Sequence, residues 1–365
     1  MIHCPHFNVC SGCTLDAKAL EPPIYQKAKV FFESIGFKDV PLIHEELTNW
    51  RLKAKVVVRG SSKNPIIGLY KAQSHEAVDI PFCKVHHPLI NESIALIKKG
   101  LQQLGIEPYD ELNHQGQLRY VQLAVNRKMG KVQLSLIVNS MDGALNLINW
   151  LQNERSGLWH SFWINRNKTQ TNRILGDEWI FVSGNQDFEE EILGQKVYFS
   201  PAGFSQANLN LFEKIVHEIF TKIKPNDKVV EFYAGSGTIG LPVAKKASFI
   251  KAVEYTKEAK VMFEKANLSN TEYFVGDVKD YTNLIEANDV IIVDPPRKGL
   301  DPYLLKTLKD FKGLKTLIYV SCGFDSFARD TKELLEANWR LKLVKTYLLF
   351  PGSDHIETLA FFEKR

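Results

Sequence analysis

The C-terminal half of this 365-residue chain predicts an α/β fold built on a largely parallel sheet, and three observations carry that expectation. From about Gln195 onward, short apolar strands alternate with helical stretches. One strand opens directly into the glycine loop Gly235-Ser236-Gly237-Thr238-Ile239-Gly240, and a later one ends on Asp294-Pro295-Pro296-Arg297. Strict alternation of the two element types argues for parallel strands covered by helices on both faces. In order, the pattern predicts a helix over 208–223, a strand over 229–232, the glycine loop with a helix behind it, and a strand over 249–254. A helix over 257–267, strands over 273–275 and 290–294, a helix from Pro302 and a strand over 316–321 follow. Segments 342–349 and 358–363 read as a closing hairpin.

The first half reads differently. An amphipathic helix over 24–35 is stopped by Gly36. From Trp50 to about Ile180 the pattern is mainly β, with strands over 51–59, 66–70, 117–126, 131–138 and 159–165 and one helix over 88–104. Asn126-Arg127-Lys128-Met129-Gly130 between two of these strands is a turn ending in glycine. The expected division is a cysteine segment over 1–44 completed by Cys83, a β-rich domain over 45–194, and the α/β domain over 195–365.

Composition bounds the function. The chain is 44% apolar and 24% charged, with a net charge of +4, which are ordinary globular values compatible with a nucleic-acid partner. No run of 18 apolar residues occurs and Met1-Ile2-His3-Cys4 does not resemble a leader, so a membrane partner is not expected and a cytoplasmic location is. There, five cysteines serve as metal ligands or catalysts rather than as disulfides.

The glycine loop follows a strand and opens a helix, as in adenine-dinucleotide sites, where glycines admit close approach of the backbone to a ligand. Glu254 lies 19 residues beyond Gly235, at the end of the next strand, where a carboxylate can accept hydrogen bonds from both ribose hydroxyls. These features do not separate a nicotinamide dehydrogenase from an S-adenosylmethionine enzyme, or either from a glycine turn without a ligand. Asp294-Pro295-Pro296 shifts the balance to S-adenosylmethionine, because it ends a strand at the carboxyl edge and methyltransferases acting on bases carry acidic-Pro-Pro or Asn-Pro-Pro there.

Val320-Ser321-Cys322-Gly323 ends the strand after that motif with the only cysteine of the C-terminal half. Taken alone, such a thiol is a small core hydrophobe. Beside a methyl-donor site it acquires a use. The C5 carbon of uracil accepts a methyl group only after a thiolate has added at C6, and a base must then remove the C5 proton. Cys322 fits the first role. His355-Ile356-Glu357, before the last strand, offers Glu357 for the second, although an isolated Glu there reads first as a solvated edge carboxylate. Methylation of cytosine C5 calls for a further cysteine where Pro295-Pro296 stands, which favours uracil.

With Phe204-Ser205-Gln206-Ala207-Asn208, Glu231-Phe232-Tyr233-Ala234-Gly235-Ser236-Gly237, Asp294-Pro295-Pro296-Arg297-Lys298-Gly299, Ser321-Cys322 and His355-Ile356-Glu357 in view, the chain resembles the RNA uracil-C5 methyltransferase family over essentially its full length. The resemblance implies a Rossmann-like S-adenosylmethionine-dependent catalytic domain with cofactor contacts at Gln206, Tyr233, Glu254 and Asp294. It also implies Cys322 as the nucleophile and Glu357 as the general base. Within the family the chain most resembles the branch that modifies uracil 747 of 23S ribosomal RNA, being similarly compact and beginning at a cysteine cluster. Another ribosomal site or a tRNA is the alternative.

Cys4, Cys10, Cys13 and Cys83 supply four thiols whose spacing suits zinc or an iron–sulfur cluster, and His3, His6, His86 and His87 are further candidate ligands. The resemblance implies a [4Fe–4S] cluster with a structural role. Arg51, Lys53, Lys55 and Arg59 alternate with Leu52, Ala54, Val56 and Val58, which in a strand puts the charges on one face. That face is either solvated or tracks phosphates. A uridine must leave its stack to react, so a hairpin loop or bulge of RNA is the expected substrate, with no obligatory protein partner. Two readings of other classes are a non-catalytic RNA-binding iron–sulfur protein and a nicotinamide oxidoreductase.

Overall fold

The computed structural model describes residues 2–15 and 18–364, and they form two compact units. The first comprises 1–19, 46–188 and 205–208; the second comprises 20–45, 189–204 and 209–365. This differs from the expected division, because residues 20–45 join the α/β unit. The reason is packing. The helix Pro23–Ser34 sets Phe31 and Phe32 against Phe324 and Phe327, and Leu42–Ile43 pairs in parallel with Thr346–Tyr347.

In the first unit seven strands form one sheet in the order Ala77–Asp79, Pro65–Tyr70, Lys53–Gly60, Leu118–Asn126, Lys131–Val138, Trp159–Arg166, Glu178–Gly184. Every pairing is antiparallel except Lys131–Val138 with Trp159–Arg166. A parallel pair needs a crossover, and the helix Ala144–Glu154, not foreseen in the sequence, provides it. Its Leu147 and Trp150 crowd Gly100 of the helix Pro88–Leu104 so closely that a Cβ there would lie 2.6 Å from Leu147. Pro88–Leu104 itself begins on proline, is capped by the His87 ring accepting from the Leu89 amide, and ends at Gly105 in the left-handed region. Ile90, Ile94, Ile97 and Leu101 recur on its buried face.

The second unit is an eight-stranded sheet in the order Leu42–Ile43, Trp339–Tyr347, Glu357–Lys364, Lys315–Ser321, Val290–Val293, Lys228–Phe232, Phe249–Glu254, Thr271–Val275. The strands pair in parallel except Glu357–Lys364, which runs antiparallel to both of its neighbours. The last two strands do pair as a hairpin, and the final one inserts beside Lys315–Ser321. The helix Phe324–Glu336, also not foreseen, buries Phe324, Phe327 and Leu334 against the sheet. Lys228–Phe232, first of the parallel series in the chain, has Phe249–Glu254 on one side and Val290–Val293 on the other. Strand order reverses there, which is where open α/β sheets admit ligands at their carboxyl edge. No helix of the described residues is long and apolar enough to cross a membrane.

Candidate active site

The sheet register assembles the site. Phe232 lies beside Val293, so Tyr233 and Asp294 leave the sheet side by side, and Val293 pairs in turn with Tyr319. Ser321 pairs with Thr358 in antiparallel register, so Cys322 and Glu357, each one residue further toward the same edge, face one another. Gln206 lies in segment 205–208 of the first unit.

The glycine loop is tied back to the sheet. Glu254 accepts from the Gly235 amide at 3.2 Å and from the amide and hydroxyl of Thr256, both at 3.1 Å, while the Tyr273 hydroxyl donates to the Gly235 carbonyl at 2.7 Å. Gly237 has φ +85°, and a Cβ at Gly240 would fall 2.2 Å from Glu231 Oε2, so neither position tolerates a side chain. Tyr233 itself is left-handed at φ 62°, and its hydroxyl accepts from the Asp301 amide at 2.9 Å. A non-glycine residue held there is strained, and such strain gathers at sites that must present a group in one direction.

Acidic groups crowd this edge. Glu231 and Glu357 are both buried, and each is held well above the ordinary carboxyl range by burial first and by the charge of Asp294 second. Burial pushes Asp294 itself up to about 7. The Gly240 amide opposes the rise at Glu231. The Cys322 thiol, half-buried, is pushed up to about 11 by burial, then by Glu357 and Asp294. Arg297 opposes both effects: its guanidinium favours the charged forms of Cys322 and of Glu357, and Nη2 stands 3.5 Å from Nε2 of His355. Sequence reasoning quoted Arg297 within a motif but gave it no role. The available signal was a cation three residues beyond the strand-ending aspartate.

Such an edge suits a cationic ligand, and it holds a protonated thiol beside carboxyl groups able to exchange protons with it near neutrality. That is the equipment for adding a thiol to an electron-poor carbon and later removing a proton from its neighbour.

In the first unit, Cys4, Cys10, Cys13 and Cys83 line a single cavity of about 140 Å³ together with His6, Arg51 and His86. The Gly12 amide donates to Cys10 Sγ at 3.3 Å, and the Val85 and His86 amides favour the thiolate of Cys83. Burial, then Cys83, Cys10 and Cys4 in turn, pushes the Cys13 thiol up to about 12. Yet among the described residues no group of three or more His, Cys, Asp or Glu side chains is set to hold a metal ion. The expected metal set is therefore gathered around one cavity but not closed on one point. His87 is occupied as a helix cap.

The charged face of Lys53–Gly60 also departs from expectation. Leu52, Ala54, Val56 and Val58 are buried as the alternation requires, but only Lys55 of the four cations is fully exposed. Arg59 is engaged by Glu111 and Tyr70, Arg51 lies over the Trp50 ring at 4.7 Å, and burial brings Lys53 down to about 8.

Comparison with known proteins follows the same lines. Residues 274–365 match the tRNA (Uracil-5-)-methyltransferase family. An uncharacterized RNA methyltransferase of Protochlamydia amoebophila is 41% identical over 380 residues, covering 100% of this chain and 98% of the relative. One of Caldanaerobacter subterraneus subsp. tengcongensis is 31% identical over 384 residues, covering 99% of this chain and 84% of the relative. Among solved structures, the Pyrococcus abyssi tRNA (uracil-54, C5)-methyltransferase in complex with S-adenosyl-L-homocysteine superposes with a TM-score of 0.81 at 23% identity, over 97% of this chain and 84% of that one. At that identity the likeness is one of fold: the α/β fold of S-adenosylmethionine-dependent methyltransferases.

Proposed function

The chain belongs to the RNA uracil-5-methyltransferase family, and from that premise we propose that it forms 5-methyluridine in 23S ribosomal RNA, at uracil 747, through Cys322 and Glu357. The observation that carries the chemistry is the pairing of Ser321 with Thr358, which sets a thiol and a buried carboxyl group face to face beside Asp294.

Tyr233, Glu254 and Asp294, with Gln206 as a further contact, would hold S-adenosylmethionine, which would supply the methyl group. The protein's own residues handle everything else. The Cys322 thiol gives its proton to a carboxylate of the Asp294–Glu357 pair, and sulfur bonds to C6 as the C5–C6 π electrons move toward O4. Arg297 offsets the negative charge that this creates. After C5 has taken the methyl group, a carboxylate of the same pair, assigned to Glu357, removes the C5 proton. The C5–H electrons re-form the C5–C6 double bond and expel the Cys322 thiolate. Glu357 must be ionised at that moment, which two acids allow and one does not: with both ionised before attack, Asp294 keeps the thiol's proton while Glu357 takes the proton from C5.

The pH dependence follows in sign. With Asp294 held near 7, the unliganded native state retains a proton that the unfolded chain has already released. Stability therefore falls as pH rises from the ordinary aspartate range through about 7. A cationic cofactor favours the ionised carboxylate, so binding near pH 6.5 should expel protons. Calorimetric titrations in buffers of different ionisation enthalpy should differ there and converge about two units higher, above the Asp294 range. Identical heats in all buffers near pH 6.5 contradict the assignment.

For the four cysteines we infer a [4Fe–4S] cluster, supported by their sharing one cavity and by the amides aimed at Cys10 and Cys83. Its role is structural, tying residues 4–13 to the Cys83 loop. Anaerobically isolated protein should contain iron and sulfide in equal amounts, lost in Cys13→Ser; protein that folds with neither contradicts the cluster. The cytoplasmic location keeps such thiols reduced.

Transfer of labelled methyl groups to unmodified 23S ribosomal RNA and to bulk tRNA, followed by mapping of the product, tests the substrate. Label at uracil 747 is expected. Label confined to tRNA favours the second reading. No label in either RNA overturns both.

A further inference from the structure

The loop 294–301 that carries Asp294 and Arg297 has no regular secondary structure of its own, yet one helix face holds its backbone. Ser326 Oγ lies 2.8 Å from the Arg297 carbonyl oxygen and 2.9 Å from that of Gly323, the residue after the thiol. Arg329 donates to the Lys298 carbonyl at 2.9 Å. The Leu300 amide donates to Asp330 Oδ2 at 2.9 Å. Ser326, Arg329 and Asp330 sit at i, i+3 and i+4 of the helix Phe324–Glu336, and therefore on one face.

Asp330 is completely buried, and its carboxylate also accepts from the Tyr319 hydroxyl at 2.9 Å, on the strand that leads to Cys322, and from Arg329. Gly323 completes the contact: a Cβ there would stand 2.6 Å from the Arg297 carbonyl oxygen. The helix that starts two residues after the thiol thus grips the backbone of the loop whose Arg297 acts on that thiol.

We infer that Ser326, Arg329 and Asp330 are positioning residues which fix the Arg297 backbone to the nucleophile's own helix, so that the guanidinium stays beside Cys322 and Glu357. The inference rests on Cys322 being the nucleophile. It adds that the thiol's reactivity is controlled through main-chain anchors rather than by a side chain touching sulfur. The charged groups acting on Cys322 are Glu357 and Asp294, which oppose its ionisation, and Arg297, which favours it together with the backbone amide of Cys322 itself; His355 faces Arg297.

The test is alkylation of Cys322 by iodoacetamide across pH, quantified on its own peptide by mass spectrometry. It needs neither RNA nor methyl transfer, so its failure is distinguishable from failure of the uracil reading, which a 5-fluorouridine adduct scores separately. Ser326→Ala should slow alkylation at pH 8 about three- to tenfold, the equivalent of half to one pKa unit, and Ser326→Thr should restore it. Arg297→Met should slow it at least as much. The double variant should be no slower than Arg297→Met alone, because the serine acts only through the arginine. Arg329→Met is the second variant should Ser326→Ala fail to fold. An unchanged profile in a folded Ser326→Ala protein, even with a lowered melting temperature, overturns the inference, as does a double variant whose effects simply multiply.

Discussion

Cys322→Ala is expected to lower methyl incorporation into RNA about 10⁴-fold or more, the scale seen when a covalent nucleophile is removed, and to abolish the adduct with RNA containing 5-fluorouridine. The physical reason is that Cys322 is the only thiol of the second unit. The neighbouring side chains are carboxyl groups and a guanidinium, and the other four cysteines belong to the first unit. Because the thiol is only half-buried, its loss should cost at most about 1 kcal/mol of stability. A melting curve close to wild type together with unchanged cofactor affinity would confine the defect to chemistry. Incorporation within tenfold of wild type would remove Cys322 from the mechanism.

Glu357→Gln should separate the two halves of the reaction. The side chain is buried and held above the ordinary carboxyl range, and an amide of the same shape fits its place. Attack and methyl transfer continue, slowed by the loss of one proton acceptor. Removal of the C5 proton should fall about 10²- to 10⁴-fold, the usual contribution of a positioned base. Enzyme bonded to methylated RNA should therefore accumulate with ordinary substrate and survive on a denaturing gel. Rapid turnover without such a species would shift the base role to Asp294, the other member of the pair.

The features that were legible in the sequence are those in which neighbouring residues carry the signal. Gly235 to Gly240 between a strand and a helix, and Asp294-Pro295-Pro296 at a strand end, are both found at the carboxyl edge of the sheet, as their neighbours in sequence require. What was not legible depends on long-range pairing. Nothing local in His355-Ile356-Glu357 says that the final strand inserts beside Lys315–Ser321, and the resemblance rather than spacing brought Glu357 to Cys322. Arg297 escaped for the same reason, since its effect on the thiol appears only when the loop is folded over Gly323. The spacing of Phe324, Phe327 and Leu334 is that of the buried face of the helix Phe324–Glu336, a signal that is short and sits between two stronger strand patterns. Residues 20–45 read as part of the cysteine segment because they follow it in sequence. Their partners lie some 300 positions further on, in the rings of Phe324 and Phe327 and in the strand pairing at Thr346. The basic face of Lys53–Gly60 shows the limit of alternation: it gives the face correctly, but not that Arg59 is already held by Glu111.

The most direct measurement is of the covalent intermediate itself. Fluorine at C5 cannot leave as a proton does, so RNA bearing 5-fluorouridine at the target arrests the reaction after methyl transfer. Wild-type protein incubated with that RNA and S-adenosylmethionine, then digested and sequenced by mass spectrometry, should yield one peptide carrying a nucleotide that bears both fluorine and the transferred methyl group, attached at Cys322. Attachment to any other residue, or methylation of ordinary uridine in the same RNA with no adduct on the fluorinated one, would contradict the account.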